Sequence, residues 1–149
     1  MRVAFSSSNQ LGSWLLRTVL FSEWSHCGVV VGDYVIEATM FRGVVATPLE
    51  EFKRDRKWAI VEFPVEDEEA AIKALYKEIG KKYDWLGLLG MPFIRRWHST
   101  DNWFCSELTA YVLKEGGLSC FRYPQYRITP RDLWNLPFPI IEHYNLEVD

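Results

Sequence analysis

Two β-rich runs, His26–Val31 (HCGVVV) and Tyr34–Thr39 (YVIEAT), are separated by only Gly32-Asp33. A two-residue Gly-Asp link between such runs signals a tight hairpin, because glycine accepts the backbone twist that this turn demands. In that register Val31 faces Tyr34, Val30 faces Val35, Gly28 faces Glu37 and His26 faces Thr39. Side chains alternate between the faces of a strand. One face then carries Cys27, Val29, Val31, Tyr34, Ile36 and Ala38, which suit a core, and the other carries His26, Gly28, Val30, Val35, Glu37 and Thr39. Glu37 lies diagonally from His26, about 7 to 8 Å apart along the backbone, a gap that long side chains bridge. Gly28 leaves room for the carboxylate to orient the imidazole. The same pair also reads as the solvated side of a half-exposed hairpin.

The remaining periodicity places this hairpin in an α+β fold. Arg2–Phe5 reads as a strand, Asn9–Phe21 as an amphipathic helix, Val44–Ala46 as a third strand and Trp58–Phe63 as another. Thr47-Pro48-Leu49-Glu50 has the pattern of a helix start, with a capping threonine, proline in the first turn and glutamate three residues on. A helix over Asp67–Ile79, with Ile72, Leu75, Tyr76 and Ile79 on one stripe, ends at Gly80. Tyr83–Leu89 is apolar and helical in character, Ser106–Lys114 is the last long helix, and Thr129-Pro130-Arg131-Asp132 opens a short one. The expected architecture is an antiparallel sheet or small open barrel packed against helices. Residues 1–149 show no repeat, linker or low-complexity tract and read as one domain.

Composition removes several functional classes. A chain of 149 residues with 48% hydrophobic residues folds and packs. Its net charge of -3 offers no general field for a phosphate backbone, and Lys53–Lys57 is too short a basic cluster to supply one, so nucleic acid is not an expected partner. Cys27, Cys105 and Cys120 form no CxxC pair, which fits free thiols. A zinc site from His26, Cys27, His98 and Cys105 would have irregular ligand spacing. The longest apolar stretch, Trp85–Ile94, is shorter than the roughly 20 residues that span a bilayer. The N-terminal apolar residues are interrupted by Ser6–Gln10 and Arg17, unlike a secretory core, so a cytoplasmic or phage-associated protein is expected.

Cys105 stands at the start of the last long helix, in Trp103-Phe104-Cys105-Ser106-Glu107-Leu108. The positive end of a helix lowers the pKa of a thiol there, and its free N–H groups can hold an oxyanion. Cys105 also shares a stripe with Leu108, Thr109 and Val112, so a small buried core residue is the competing reading. Trp97 and Trp103 are candidates to wall a groove, although aromatic residues commonly fill cores.

The ordered set of motifs resembles the circularly permuted NlpC-like branch of papain-fold cysteine hydrolases (YiiX/YebB-like). The motifs are Ser25-His26-Cys27-Gly28, Ile36-Glu37-Ala38, Gly43-Val44 before Pro48-Leu49, Tyr83-Asp84, and Phe104-Cys105-Ser106-Glu107-Leu108. The similarity runs from about Val3 to Leu133, with the histidine strand before the cysteine helix, the permuted order. It implies a nucleophile at Cys105, a general base at His26, an orienting residue at Glu37 and a supporting role for Tyr83. Trp103 and Ser106 are the further candidates for substrate binding or oxyanion support. The implied substrate is a peptide or acyl-bearing molecule, with peptidoglycan fragments or lipid as the two forms, and the chemistry needs no cofactor and no metal. The Asn-Cys-Glu-His signature of the lipid-acting relatives is absent here. A lipid acyltransferase or thioesterase, and a non-catalytic binding module, are the alternatives.

Overall fold

The computed structural model describes residues 1–7, 22–54, 56–83 and 102–145. A six-stranded sheet is formed by β1 (Arg2–Ser7), β2 (His26–Val31), β3 (Tyr34–Thr39), β4 (Gly43–Pro48), β5 (Lys57–Glu62) and β8 (Ile140–Tyr144). Its order is β4-β3-β2-β1-β5-β8, antiparallel at every pairing. A short parallel pair joins β6 (Lys82–Tyr83) to β7 (Asn102–Trp103). The helices are α1 (Leu49–Lys53), α2 (Glu68–Glu78), α3 (Cys105–Glu115) and α4 (Pro130–Trp134), with a 3₁₀ turn at Gln125–Arg127. This is the expected α+β class, with the sheet open rather than closed. Among the described residues no helix is long and apolar enough to cross a membrane.

Alternation along the central strands separates two layers of core. Val3, Phe5, Cys27, Val29, Ile36 and Ala38 pack with α2 and α3 through Ala71, Leu75, Leu108 and Val112. On the opposite face Ala4, Val30, Val35 and Ile60 pack under Phe52 of α1. Both faces of β1 and β2 are therefore covered, which is why their residues are apolar nearly throughout. The hairpin has the expected register, Val29 to Ile36, Val30 to Val35 and Val31 to Tyr34, and Gly32 turns it with φ of 58°.

Helix ends follow local chemistry. Asp67 caps α2 by accepting from the Ala70 N–H, and a reciprocal Thr129/Asp132 capping box opens α4 behind Pro130. At α1 the expectation fails. Pro48 is the N-cap and supplies no side-chain bond, while Thr47 remains in β4. Its hydroxyl is engaged elsewhere, so the capping pattern in the sequence is only apparent. On α2 the buried positions are Ala71, Ala74, Leu75 and Glu78, whereas Tyr76 and Ile79 are exposed. The packed face of α2 is set by Ala71, Ala74 and Leu75, with Ile72 partly buried against the same core. The helix expected over Asn9–Phe21, and the one from Tyr83 beyond its β6 backbone, lie outside the described residues. β8 is an addition to the expected strands, because an edge strand exposed at each of its positions shows no apolar alternation to detect.

Phe5 is fully buried in the middle of β1, with Trp24 at 6.0 Å and Trp134 at 5.4 Å between ring centroids. Truncation to alanine removes ring contacts to two separate segments. Phe5→Ala is expected to lower unfolding free energy by about 3 to 5 kcal/mol, read from urea denaturation at equilibrium. A loss below about 1 kcal/mol would show that this cluster does not organise the core.

Candidate active site

The hairpin brings His26 and Glu37 together on one face. Nε2 of His26 lies 2.5 Å from Oε2 of Glu37, and the other carboxylate oxygen accepts a 2.6 Å bond from Oγ1 of Thr47. Glu37 is 4% exposed, while the His26 side chain keeps 21% of its surface. The Phe52 ring lies 6.1 Å from the imidazole. Gly28 provides the space that this arrangement needs. A Cβ there would fall 2.6 Å from Cγ1 of Val35 and 3.0 Å from Cβ of Glu37.

Cys105 is the first residue of α3, behind an N-cap, Phe104, that supplies no capping side chain. The Thr109 hydroxyl, one turn on, donates to the Cys105 carbonyl at 3.0 Å and lies 3.6 Å from Sγ of Cys27. The start of α3 is thereby fixed over the first residues of β2. Cys105 arrives from the Cys27 side of the sheet and His26 belongs to the opposite side. They meet because His26 is the first residue of its strand, and each shifts the titration of the other.

The electrostatics favour charge at all three groups. Burial drags the His26 pKa down, but the Glu37 carboxylate and the Cys105 sulfur overcome it and raise the imidazole to about 10. Burial pushes the Cys105 thiol up, yet hydrogen bonding from Cys27 and the charge and hydrogen bond of His26 bring it well below the usual thiol range. Burial likewise raises Glu37, and His26, the Thr47 hydroxyl and the Arg56 charge together bring it below its ordinary value. The shifts run in the direction of a thiolate at Cys105, an imidazolium at His26 and a carboxylate at Glu37. Such an arrangement can attack a carbonyl carbon and then deliver a proton.

The other sequence candidates occupy different surroundings. The Ser106 hydroxyl is buried and donates to the Ile128 carbonyl at 2.6 Å, so only its backbone faces the helix start. Trp103 was expected at a groove wall, but it is 6% exposed, donates from Nε1 to Glu78 at 2.6 Å and stacks on Tyr111. Its indole is held by a buried carboxylate, a structural use. Tyr83 neighbours Trp103 through the β6–β7 pairing. Trp97 and His98 lie outside the described residues, and His143 sits on the exposed edge strand β8. Cys27 is core, as its strand face requires, yet it also reaches Cys105. Among the described residues no three His, Cys, Asp or Glu side chains gather to hold a metal ion. Thr47, which the sequence suggests as a helix cap, and Arg56 join the site only in the structure. Thr47 could be found by extending the hairpin register to β4, where it faces Val35, diagonally from Glu37.

Comparison with known proteins bears on the family and the fold. A family model described as permuted papain-like amidase enzyme, YaeF/YiiX, C92 family, matches residues 2–137. The crystal structure of the metalloprotein yiiX from Escherichia coli O157:H7 is similar over 96% of both chains, with a TM-score of 0.73 and 19% identity. At that identity the likeness concerns the fold. No curated protein sequence matches the chain.

The three thiols differ sharply. Burial raises both Cys27 and Cys120, whereas Cys105 is lowered. At a pH of about 6, where an ordinary thiol is almost wholly protonated, substoichiometric iodoacetamide should modify Cys105 alone, as read by peptide mass spectrometry. Modification spread evenly over the three cysteines would contradict the assigned ionisation.

Proposed function

The chain belongs to the permuted papain-like amidases of the YaeF/YiiX, C92 family, and from that premise we propose that Cys105, His26 and Glu37 perform its amide hydrolysis through an acyl-enzyme. The observation that carries this reading is the 2.5 Å His26–Glu37 pair beside a thiol whose ionised form is favoured. Glu37 engages Nε2 of the imidazole, which leaves Nδ1 for the sulfur and the substrate.

The sulfur of Cys105 attacks the amide carbon, and the carbonyl oxygen takes the negative charge. First-turn N–H groups of α3 have no carbonyl partner within the helix, and Phe104 adds no side-chain cap, so they are suited to receive that oxyanion. Collapse of the tetrahedral adduct breaks the C–N bond as His26 passes its Nδ1 proton to the departing nitrogen. The base form of His26 then takes a proton from water, whose oxygen attacks the thioester carbon. Cys105 leaves as thiolate and the acid product is released. Glu37 holds the ring in place and stabilises its charged form; it does not itself need to gain the proton.

The substrate we infer is an amide in a cell-wall peptide, supported by the amidase family and by the resemblance of the motif order to a branch associated with such peptides. Purified muropeptides should be cut, and short-chain acyl esters hydrolysed far more slowly. Preference for the esters would overturn this substrate.

The mutational order tests the mechanism. Cys105→Ala should abolish turnover with the fold retained, and His26→Ala should cost on the order of a thousandfold in acylation. Glu37→Ala should lose more than Glu37→Gln, which still hydrogen-bonds, and both less than Cys105→Ala. Turnover of Cys105→Ala at a tenth of the parent rate would remove it from the reaction.

A further inference from the structure

The carboxylate of Glu37 is held at both oxygens. His26 on β2 takes Oε2, and Thr47 on β4 takes Oε1 at 2.6 Å. The two contacts are successive diagonal steps across β2, β3 and β4 on one face of the sheet, with Val45 the cross-strand neighbour of Glu37. Thr47 is 4% exposed, so water is not available to replace its hydroxyl.

The direction of these bonds follows from the groups themselves. A guanidinium can only donate, and Nη2 of Arg42 lies 3.4 Å from Oγ1 of Thr47. The Thr47 oxygen therefore offers a lone pair to Arg42, and its single hydrogen remains for Glu37, which as a carboxylate can only accept. The sequence suggests a helix cap for this threonine, but α1 is capped by Pro48 without a side-chain bond. Its hydroxyl thus bridges an exposed arginine and the buried carboxylate.

We infer that Thr47 is a positioning residue for the amidase reaction, fixing Glu37 so that its second oxygen stays on Nε2 of His26 and Nδ1 stays directed at Cys105. This rests on the role proposed above for Glu37. With one oxygen bound by Thr47, the carboxylate cannot turn away from the imidazole without breaking a second, buried hydrogen bond. The charged groups that bear on Glu37 are His26 from β2, Arg56 ahead of β5, Arg42 through Thr47, and Cys105 through His26.

Removing the Thr47 donor leaves the carboxylate less stabilised, so it protonates at higher pH. Below that pH the imidazolium loses its partner, and the thiolate that depends on it is lost too. The acid limb of Cys105 reactivity must then move upward. The experiment measures the rate of Cys105 alkylation by iodoacetamide from pH 4 to 8 in the full chain, for the parent and for Thr47→Val, Thr47→Ser, Glu37→Gln and the Thr47→Val/Glu37→Gln double variant. Valine keeps the branched shape that suits a strand, and thermal melts accompany each variant.

Thr47→Val should move the acid limb up by about one pH unit, with about a tenfold slower reaction on that limb. Thr47→Ser, which restores the hydroxyl, should return it to within about 0.3 unit. In the Glu37→Gln background Thr47→Val should shift the limb by less than half as much, because the carboxylate it acts through is gone. A limb unmoved by Thr47→Val while Glu37→Gln shifts it would overturn the inference and leave the Glu37 reading standing. A limb unmoved by Glu37→Gln would overturn the Glu37 reading itself. If the valine variant does not fold, Thr47→Ala takes its place under the same outcomes.

Discussion

The buried pair between His26 and Glu37 is the interaction on which the site depends. Both groups lose water when the hairpin packs under Phe52, and a buried charge without partners would be strongly unfavourable. The partners come from three segments, with Thr47 of β4 and Arg56 ahead of β5 on the carboxylate and Cys105 of α3 on the imidazole. The signs of the two shifts define a pH window. A histidine raised from 6.5 to about 10 stabilises the fold fully below pH 6.5, and that contribution fades as pH rises through about 10. A glutamate lowered from 4.5 contributes fully above 4.5 and loses its contribution as pH falls through its folded value. Both contributions are complete together only between 4.5 and 6.5, and the histidine part declines gradually above that range.

The chain order divides the chemistry into two parts with different physical origins. The proposed acid-base half is local, because a two-residue turn sets His26 and Glu37 on one face of the hairpin. Cys105, the proposed nucleophile, is distant in sequence and is placed by packing, as Leu108, Thr109 and Val112 seat α3 on the apolar side of β2 and β3. A covered sheet with His26 at a strand end allows groups from opposite faces to meet. Gly28 matters here through its lack of volume, since any side chain would displace Val35 or Glu37.

What was legible in the sequence divides along the same line. The hairpin register and the shared face of His26 and Glu37 follow from alternation and turn length, which are short-range constraints. The start of α3 at Cys105 falls one residue before the expected Ser106, because the stripe of Leu108 and Val112 marks the helix. Thr47 was misread because a Thr-Pro-x-Glu pattern satisfies the local rules for a helix start, while its actual partner lies across the sheet. Trp103 is a groove-wall candidate by residue type, with the core as the competing reading, and only tertiary structure reveals the buried carboxylate of Glu78 beneath it. The exposure of Tyr76 and Ile79 has the same origin, since alanines set the contact face of α2.

The central claim is that the resting site holds His26 as an imidazolium paired with both Glu37 and the Cys105 thiolate. Its most direct test is nitrogen-15 NMR of histidine-labelled protein, with the His26 resonances identified by their loss in a His26 variant. The account predicts that both ring nitrogens of His26 remain protonated at pH 8, well above the ordinary histidine range of about 6.5. A His26 ring that is neutral at pH 7 would contradict it.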